Sequence, residues 1–327
     1  MRYFVTGATG FIGGYLTSQL LINGHTVTAL VRTREQAQAL APYGVHPWLG
    51  NVLAKDSMRR GMARSDGVFH LAAVTRRGTR HRRYLRAVNV EGTRNVLELM
   101  RDLHIPRGVF TSGLMVNGDT RGMTLDEGSK FEGRLGSAYD RSKWAAHHEV
   151  ALPMMRRGLP LTIVMPGVVY GPRDMGSFGG TLARYVLGRV PAVPTRTTFC
   201  WGHVMDIAQG HVLAMEWGRS GDTYIICGPP QRLRATLNMA GVLVGKRRGP
   251  FPAPWWLLRP AAAAMRSVGY VMPPLRGPGE RLGVLAGRTY LGDDSRARRE
   301  LGFSPRPLEE GLPDTVRALL QDHFETP

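Results

Sequence analysis

The first 170 residues predict an α/β chain built on a doubly wound, mostly parallel sheet, and two patterns carry that prediction. Short apolar runs stand at Arg2–Thr6, Thr26–Val31, His46–Leu49, Gly67–Leu71, Gly108–Thr111 and Leu161–Met165. Most are rich in Val, Ile, Leu or Phe without strict alternation, as strands buried on both faces are. Between them lie helix-length segments, such as Gly13–Asn23, Asn89–His104 and Ser142–Arg157, with apolar residues three and four apart. Elements that alternate in this way join by right-handed crossovers into a parallel sheet. Pro153 falls inside the third helical segment and predicts a kink there.

Beyond residue 170 the pattern changes. Gly171-Pro172, Gly176, Gly179-Gly180, Pro191 and Pro194 mark loops and short elements. A further strand candidate, Thr223–Cys227, ends at Gly228-Pro229-Pro230 and is expected to rejoin the sheet. Residues 229–287 carry large apolar side chains, among them Trp255, Trp256, Tyr270 and Met272. These read as lid and wall of a binding site, or as the core of a small lobe. The expected division is a larger domain over 1–170, with 203–228 returning to it, and a smaller lobe from 171–202 and 229–327.

Composition narrows the function classes. Hydrophobic residues make up 43% of the 327, enough for a core. Cys200 and Cys227 are too few for a disulfide framework and lack metal-ligand spacing, so a reduced, cytoplasmic setting without a metal site is expected. The first strand begins at residue 2, where a signal peptide would stand, and none is expected. The longest apolar run, Trp255 to Met272, is interrupted by Arg259, Pro260 and Arg266 and does not read as a membrane span. The net charge of +18 comes from 43 Lys and Arg against 25 Asp and Glu, yet only four of the 43 are lysine. One cluster, Arg76, Arg77, Arg80, Arg82, Arg83 and Arg86, reads as a solvated helical face or as a patch that steers an anionic ligand. No basic platform interleaved with aromatics is present, so no nucleic-acid partner is expected.

The chemistry begins at Thr6-Gly7-Ala8-Thr9-Gly10-Phe11-Ile12-Gly13, between the first strand and the first helix. Glycines let the chain turn sharply there, approach a pyrophosphate closely and pack helix on strand. The helix N-terminus then offers unpaired N–H groups to the phosphates. The loop predicts a dinucleotide and a Rossmann-type domain around it. Where a carboxylate would hold the ribose hydroxyls of NAD, the chain reads Val31-Arg32-Thr33-Arg34. Guanidinium groups there suit the 2′-phosphate of NADP, which a carboxylate would repel, so NADP is favoured over NAD.

Tyr139 and Lys143 stand one helical turn apart on one face. A free phenol, with a pKa of about 10, is a poor base near neutrality. A neighbouring ammonium favours the phenolate, so Tyr139 can exchange a proton with a substrate oxygen while Lys143 holds the nicotinamide ribose.

With the glycine loop, this pair resembles the extended short-chain dehydrogenase/reductase family, also called the NAD-dependent epimerase/dehydratase family. Further segments carry the resemblance in order. Gly50-Asn51-Val52 is similar to the loop that touches adenine, with Asn51 where the family has aspartate. His70-Leu71-Ala72-Ala73 is similar to the segment lining the cofactor after the fourth strand. Asn89-Val90-Glu91-Gly92-Thr93 resembles a helix start whose asparagine positions the lysine through water. Pro166-Gly167-Val168-Val169-Tyr170-Gly171-Pro172 resembles the segment beside the nicotinamide, with Met165 where an arginine is common. His203-Val204-Met205-Asp206-Ile207-Ala208 resembles a later Val-Asp-Asp-Val-Ala element.

One departure matters. Counted from the Val-x-Gly of Val116-Asn117-Gly118, the serine that the resemblance implies as catalytic falls on Gly113 in Thr111-Ser112-Gly113-Leu114-Met115. Either Ser112 or Thr111 takes its place as carbonyl holder, or that hydrogen bond is missing, at a cost on the order of a hundred-fold in rate. The Leu-Val-Arg end of the second strand and the apolar C-terminal half look most like the dihydroflavonol reductase and 3β-hydroxysteroid dehydrogenase branch. The resemblance thus implies an NADP(H)-dependent ketone or aldehyde reductase, reversible as an alcohol dehydrogenase, on a fairly apolar substrate, and a homodimer through the helices at about 89–103 and 140–157. Two other readings stay open: a sugar-nucleotide epimerase or dehydratase with tightly bound NAD(P), and an NADP-binding regulatory protein whose catalysis Gly113 has impaired.

Overall fold

The computed structural model describes residues 1–75, 82–129, 135–174, 176, 178–190, 192–268 and 287–324. The predicted strands form one seven-stranded parallel sheet. In chain order its members are β1 (Arg2–Thr6), β2 (Thr26–Val31), β3 (His46–Leu49), β4 (Gly67–His70), β5 (Gly108–Thr111) and β6 (Leu161–Pro166), followed by Thr223–Ile226 at one edge. From that edge strand the order runs β6, β5, β4, β1, β2, β3, with every pair parallel. β4, β5 and β6 are buried at every residue, which is why their sequences run apolar without alternation.

Helices cover both faces. On one side pack α1 (Phe11–Ile22), through Leu16 and Leu20, and a helix over Val204–Glu216, through Ile207, Val212 and Met215. On the other side pack Met58 and Met62 of Lys55–Met62 and Val96, Leu97 and Met100 of Gly92–Asp102, with the helix that carries Tyr139. Two predicted helices contain wide π stretches. The segment expected from Asn89 begins at Arg82 and passes through a π stretch at Ala87–Glu91. The segment expected over Ser142–Arg157 runs as Ala138–Ala145, a π stretch at Ala146–Ala151, and Leu152–Arg156. Pro153 cannot donate a backbone hydrogen bond, and its ring crowds the turn before it, so the expected kink takes the form of that wider turn.

The second lobe is built on short strands. Thr198–His203 pairs with Val168–Tyr170, Pro230–Arg232 and Thr289–Tyr290, while Ala192–Pro194 pairs with Phe251–Ala253. Residues 168–170 thus already belong to the lobe sheet. Residues 295–303 instead pack on the large sheet: Ala297, Leu301 and Phe303 join the core beneath Tyr224 and Ile226, and Arg296 pairs with Asp222. Of the apolar residues expected to wall the lobe, Trp255 and Trp256 lie on the helix Trp255–Val268. Tyr270, Met272, Arg76, Arg77 and Arg80 lie outside the described residues. The two thiols, Cys200 and Cys227, are buried and both point at the Gly292 carbonyl, 3.5 and 3.6 Å away.

Three histidines are sealed between sheet and helices: His70 between Thr6 and Thr93, His147 against Ser112, and His211 against Thr111. Burial holds them neutral, with pKa values lowered to about 3 for His70 and His147 and about 4 for His211. The unfolded chain takes up these protons near 6.5 and the folded chain only near 3 to 4, so acid favours unfolding. Chemical denaturation as a function of pH is therefore expected to show stability falling by about 1.4 kcal/mol per histidine for each unit below pH 6.5. His211→Gln is expected to flatten that slope by one histidine's share.

Candidate active site

The turn after β1 is shaped by contacts that only glycine allows. Gly7 has φ +81°, and a Cβ on it would lie 2.8 Å from the Ala72 nitrogen. A Cβ on Gly13 would lie 2.0 Å from the Gly7 carbonyl oxygen. Helix α1 therefore rests directly on the loop and the loop on the segment after β4. Gly10 caps α1 with extended backbone and no side-chain bond, and no acid stands in the first turn. The first N–H groups of α1 are thus left for a ligand, as phosphates require. Thr9 is exposed, and Phe11 and Ile12 are half-buried at the same end.

Behind the loop runs a buried chain of hydrogen bonds that reaches the helix bearing Tyr139. The Ala72 N–H donates to Thr6 Oγ1 at 3.2 Å, and Thr6 Oγ1 lies 2.7 Å from His70 Nδ1. His70 Nε2 lies 2.9 Å from Thr93 Oγ1, whose hydroxyl donates to the Asn89 carbonyl. With that hydroxyl committed, His70 donates through Nε2 and accepts at Nδ1. The Asn89 amide bonds the Val74 backbone on both sides and donates to Ser142 Oγ at 2.9 Å. Ser142 in turn donates to the Tyr139 carbonyl at 2.7 Å.

A capping box starts the helix that bears Tyr139. Ser137 Oγ accepts from the Asp140 N–H, and Asp140 Oδ2 accepts from the Ser137 and Gly136 N–H groups. Tyr139 and Lys143 follow in consecutive turns. Lys143 is buried; its Nζ donates to the Thr111 carbonyl at 2.6 Å and lies 4.8 Å above the Phe110 ring. Burial lowers its pKa to about 8. One chain end of β5 therefore holds the ammonium through its backbone.

The hydroxyls at that strand end are engaged elsewhere. Thr111 Oγ1 lies 2.9 Å from His211 Nε2, and because His211 Nδ1 donates to the Ile207 carbonyl, the threonine is the donor. Ser112 Oγ lies 2.7 Å from His147 Nδ1 and is buried. At Gly113 the backbone has φ +157°, and a Cβ would meet Met115 Sδ at 2.5 Å. A thioether fills the space beside this residue.

The remaining predicted residues surround the loop. Arg32, exposed at the end of β2, donates to the Tyr84 hydroxyl at 3.4 Å, and Arg34 opens the helix Arg34–Leu40, which Thr33 caps. Neither makes an ion pair among the described residues. Asn51 accepts from the Leu53 N–H, so its side chain holds its own turn, and Val52 is buried beneath it. Leu71, Ala72 and Ala73 are half-buried next to the glycine loop. Pro166 ends β6, and Val168 and Val169 are half-buried in the strand that follows. Asp206 forms a two-pronged pair with Arg306, at 2.8 to 3.0 Å, which ties the start of Val204–Glu216 to the C-terminal segment. His70, Thr93, Ser142, Ser137 and Asp140 are supports of this site, and of these only the Ser-x-x-Asp capping pattern of Ser137 and Asp140 has a local signal in the sequence.

The family model described as NAD dependent epimerase/dehydratase family matches residues 3–227. A ketoreductase of 4-hydroxy-2-methyl-3-oxo-4-farnesyl-3,4-dihydroquinoline-1-oxide from Stigmatella aurantiaca is 32% identical, over 97% of this chain and 96% of the relative. Sterol demethylase protein B from Methylococcus capsulatus is 30% identical, over 97% of both chains. Among solved structures, gox2253 superposes with a TM-score of 0.85 at 26% identity, covering 98% of each chain. The fold is also that of a Thermotoga maritima UDP-glucose 4-epimerase, with a TM-score of 0.77 at 22% identity over 99% of this chain and all of that one. The open glycine loop, the capped Tyr139–Lys143 turn and these likenesses agree, and the chain belongs to the NAD-dependent epimerase/dehydratase family, as an NAD(P)-dependent oxidoreductase of the extended short-chain dehydrogenase type.

Proposed function

We propose that this enzyme reduces a ketone or aldehyde on a fairly apolar small molecule with NADPH, and oxidises the alcohol in reverse. The observation that carries the reading is the Tyr139–Lys143 turn, capped at Ser137 and Asp140 and bonded to the end of β5. The glycine cradle that a Cβ would fill fits a pyrophosphate, with Gly7, Gly10 and Gly13 as its backbone wall. NADPH would supply the hydride to the carbonyl carbon. Tyr139 gives its phenolic proton to the carbonyl oxygen, and the Lys143 ammonium stabilises the phenolate that remains. Arg32 and Arg34 would take the 2′-phosphate. The names of the farnesyl-quinoline ketoreductase and the sterol demethylase protein support an apolar substrate.

Thr111 stays a candidate for holding the carbonyl only if its hydroxyl leaves His211, and Ser112 stays one if His147 is the donor in the bond they share. The reading here gives Tyr139 that role alone, with Met115 beside it in place of a hydroxyl. Homodimerisation through the helices at about 89–103 and 140–157 and a reducing, cytoplasmic setting complete the proposal; sedimentation equilibrium tests the first.

NADPH and NADH oxidation against a panel of aliphatic, aromatic and steroidal carbonyls is expected to show turnover with stoichiometric release of oxidised NADP. Retention of the oxidised cofactor on the enzyme would favour an epimerase instead. Tyr139→Phe is expected to lower kcat at least about a hundred-fold with NADPH binding unchanged. Ser112→Ala is expected to cost less than about ten-fold, since loss of a true carbonyl donor costs on the order of a hundred-fold or more. In Arg32→Asp, the KM for NADPH is expected to rise roughly ten-fold or more, with little change for NADH. Equal use of both cofactors by the unaltered enzyme would overturn the arginine argument.

A further inference from the structure

The helix Trp255–Val268 has two apolar faces. Its inner face packs on the lobe: Ala262 is fully buried, Leu258 and Met265 are half-buried, and Trp255 lies against Gly287 with the Arg196 guanidinium 5.7 Å from its ring. Its outer face carries Trp256, Leu257, Pro260, Ala261, Ala263, Ala264, Ser267 and Val268, all exposed. Those side chains run the length of the helix, which also contains Arg259 and Arg266. Trp256 is 60% exposed, Leu257 51% and Val268 45%. Just upstream, Phe251 is 75% exposed. A surface helix that turns a row of large apolar side chains outward is one with a partner.

The charge around the stripe points to that partner. The 57 residues from Thr223 to Gly279 contain no Asp or Glu and eight Lys or Arg. Of these, Arg232, Arg234, Arg247 and Arg248 are exposed on the elements leading into the helix. A second copy of the chain would bring two such acid-free, basic stretches face to face, at a repulsive cost. An anionic lipid surface satisfies both features: apolar side chains enter the acyl boundary, tryptophan sits at headgroup level, and arginines meet the phosphates. No helix among the described residues is long and apolar enough to cross a membrane, so the geometry is one of lying on the surface.

We propose that the outer face of Trp255–Val268 docks the smaller lobe onto an anionic membrane surface. Docking there sets the lobe against the phase in which an apolar substrate dissolves. The docking does not depend on the reaction, and its test reads binding rather than turnover. The full chain is sedimented with phosphatidylcholine vesicles, with and without phosphatidylglycerol, and the same is done with the double variant Trp256→Ser/Leu257→Ser. Both altered positions are exposed, and unchanged NADPH binding and circular dichroism confirm that the variant folds. The expected result is binding to phosphatidylglycerol-containing vesicles, weakened in about 1 M salt, where the screening length is about 3 Å. Pure phosphatidylcholine is expected to bind weakly, and the variant roughly ten-fold or more weaker than the unaltered chain. Absence of binding to the anionic vesicles, or equal binding by the variant, overturns the proposal. So does a dimer in solution that the double variant converts to monomer with no vesicle binding, which would assign the face to a second copy.

Discussion

Much of this enzyme depends on the buried chain that joins Thr6, His70, Thr93, Asn89, Ser142 and the Tyr139 carbonyl. It begins beside the glycine loop and ends in the first turn of the helix that bears Tyr139, joining two strands and two helices that are distant in sequence. With the Thr93 hydroxyl committed to the Asn89 carbonyl, His70 serves as the neutral tautomer that donates through Nε2. Burial enforces that neutrality, because an imidazolium there would have no solvent around its charge. The cofactor loop and the phenol are thereby held in one rigid frame. Pre-organisation of this kind lets a dyad act without spending binding energy on orientation.

The same logic explains Lys143. An ammonium removed from water is costly unless several acceptors replace the solvent, and this one has the Thr111 carbonyl and the Phe110 ring face. Its lowered pKa reflects that incomplete replacement. A group held slightly short of partners is suited to taking another, such as a ribose hydroxyl or a phenolate.

Most of the sheet was legible in the sequence because its strands are buried on both sides and so are written in continuous Val, Ile and Phe. The glycine loop was legible for a steric reason: Gly7 and Gly13 occupy positions where any Cβ overlaps backbone. The Tyr139–Lys143 turn was legible through its spacing. Less could be read about what the hydroxyls do. Thr111 and Ser112 are adjacent, yet one bonds a histidine 100 residues away and the other a histidine 35 residues away, on opposite faces of the sheet. Partners at such separation leave no local pattern. Helix width was likewise hidden: Ala87–Glu91 and Ala146–Ala151 have the apolar spacing of ordinary helix, and Pro153 marks a kink in the second without giving its π form. Short strands and a seven-residue helix, as at 168–170 and 295–301, carry too little periodicity to show which core they join.

Each of the two π stretches holds a turn of chain wider than an α-turn, in effect one surplus residue stored inside a helix. Loss of a single residue from Ala146–Ala151 would let the backbone relax to regular α geometry without breaking the helix. In a regular α-helix the same loss would turn everything beyond it by about 100°. Here the wide turn has already taken up that rotation, so Leu152–Arg156 would keep the face it presents now. A one-residue deletion in this stretch is thus absorbed where it falls, and the turns on either side stay in phase.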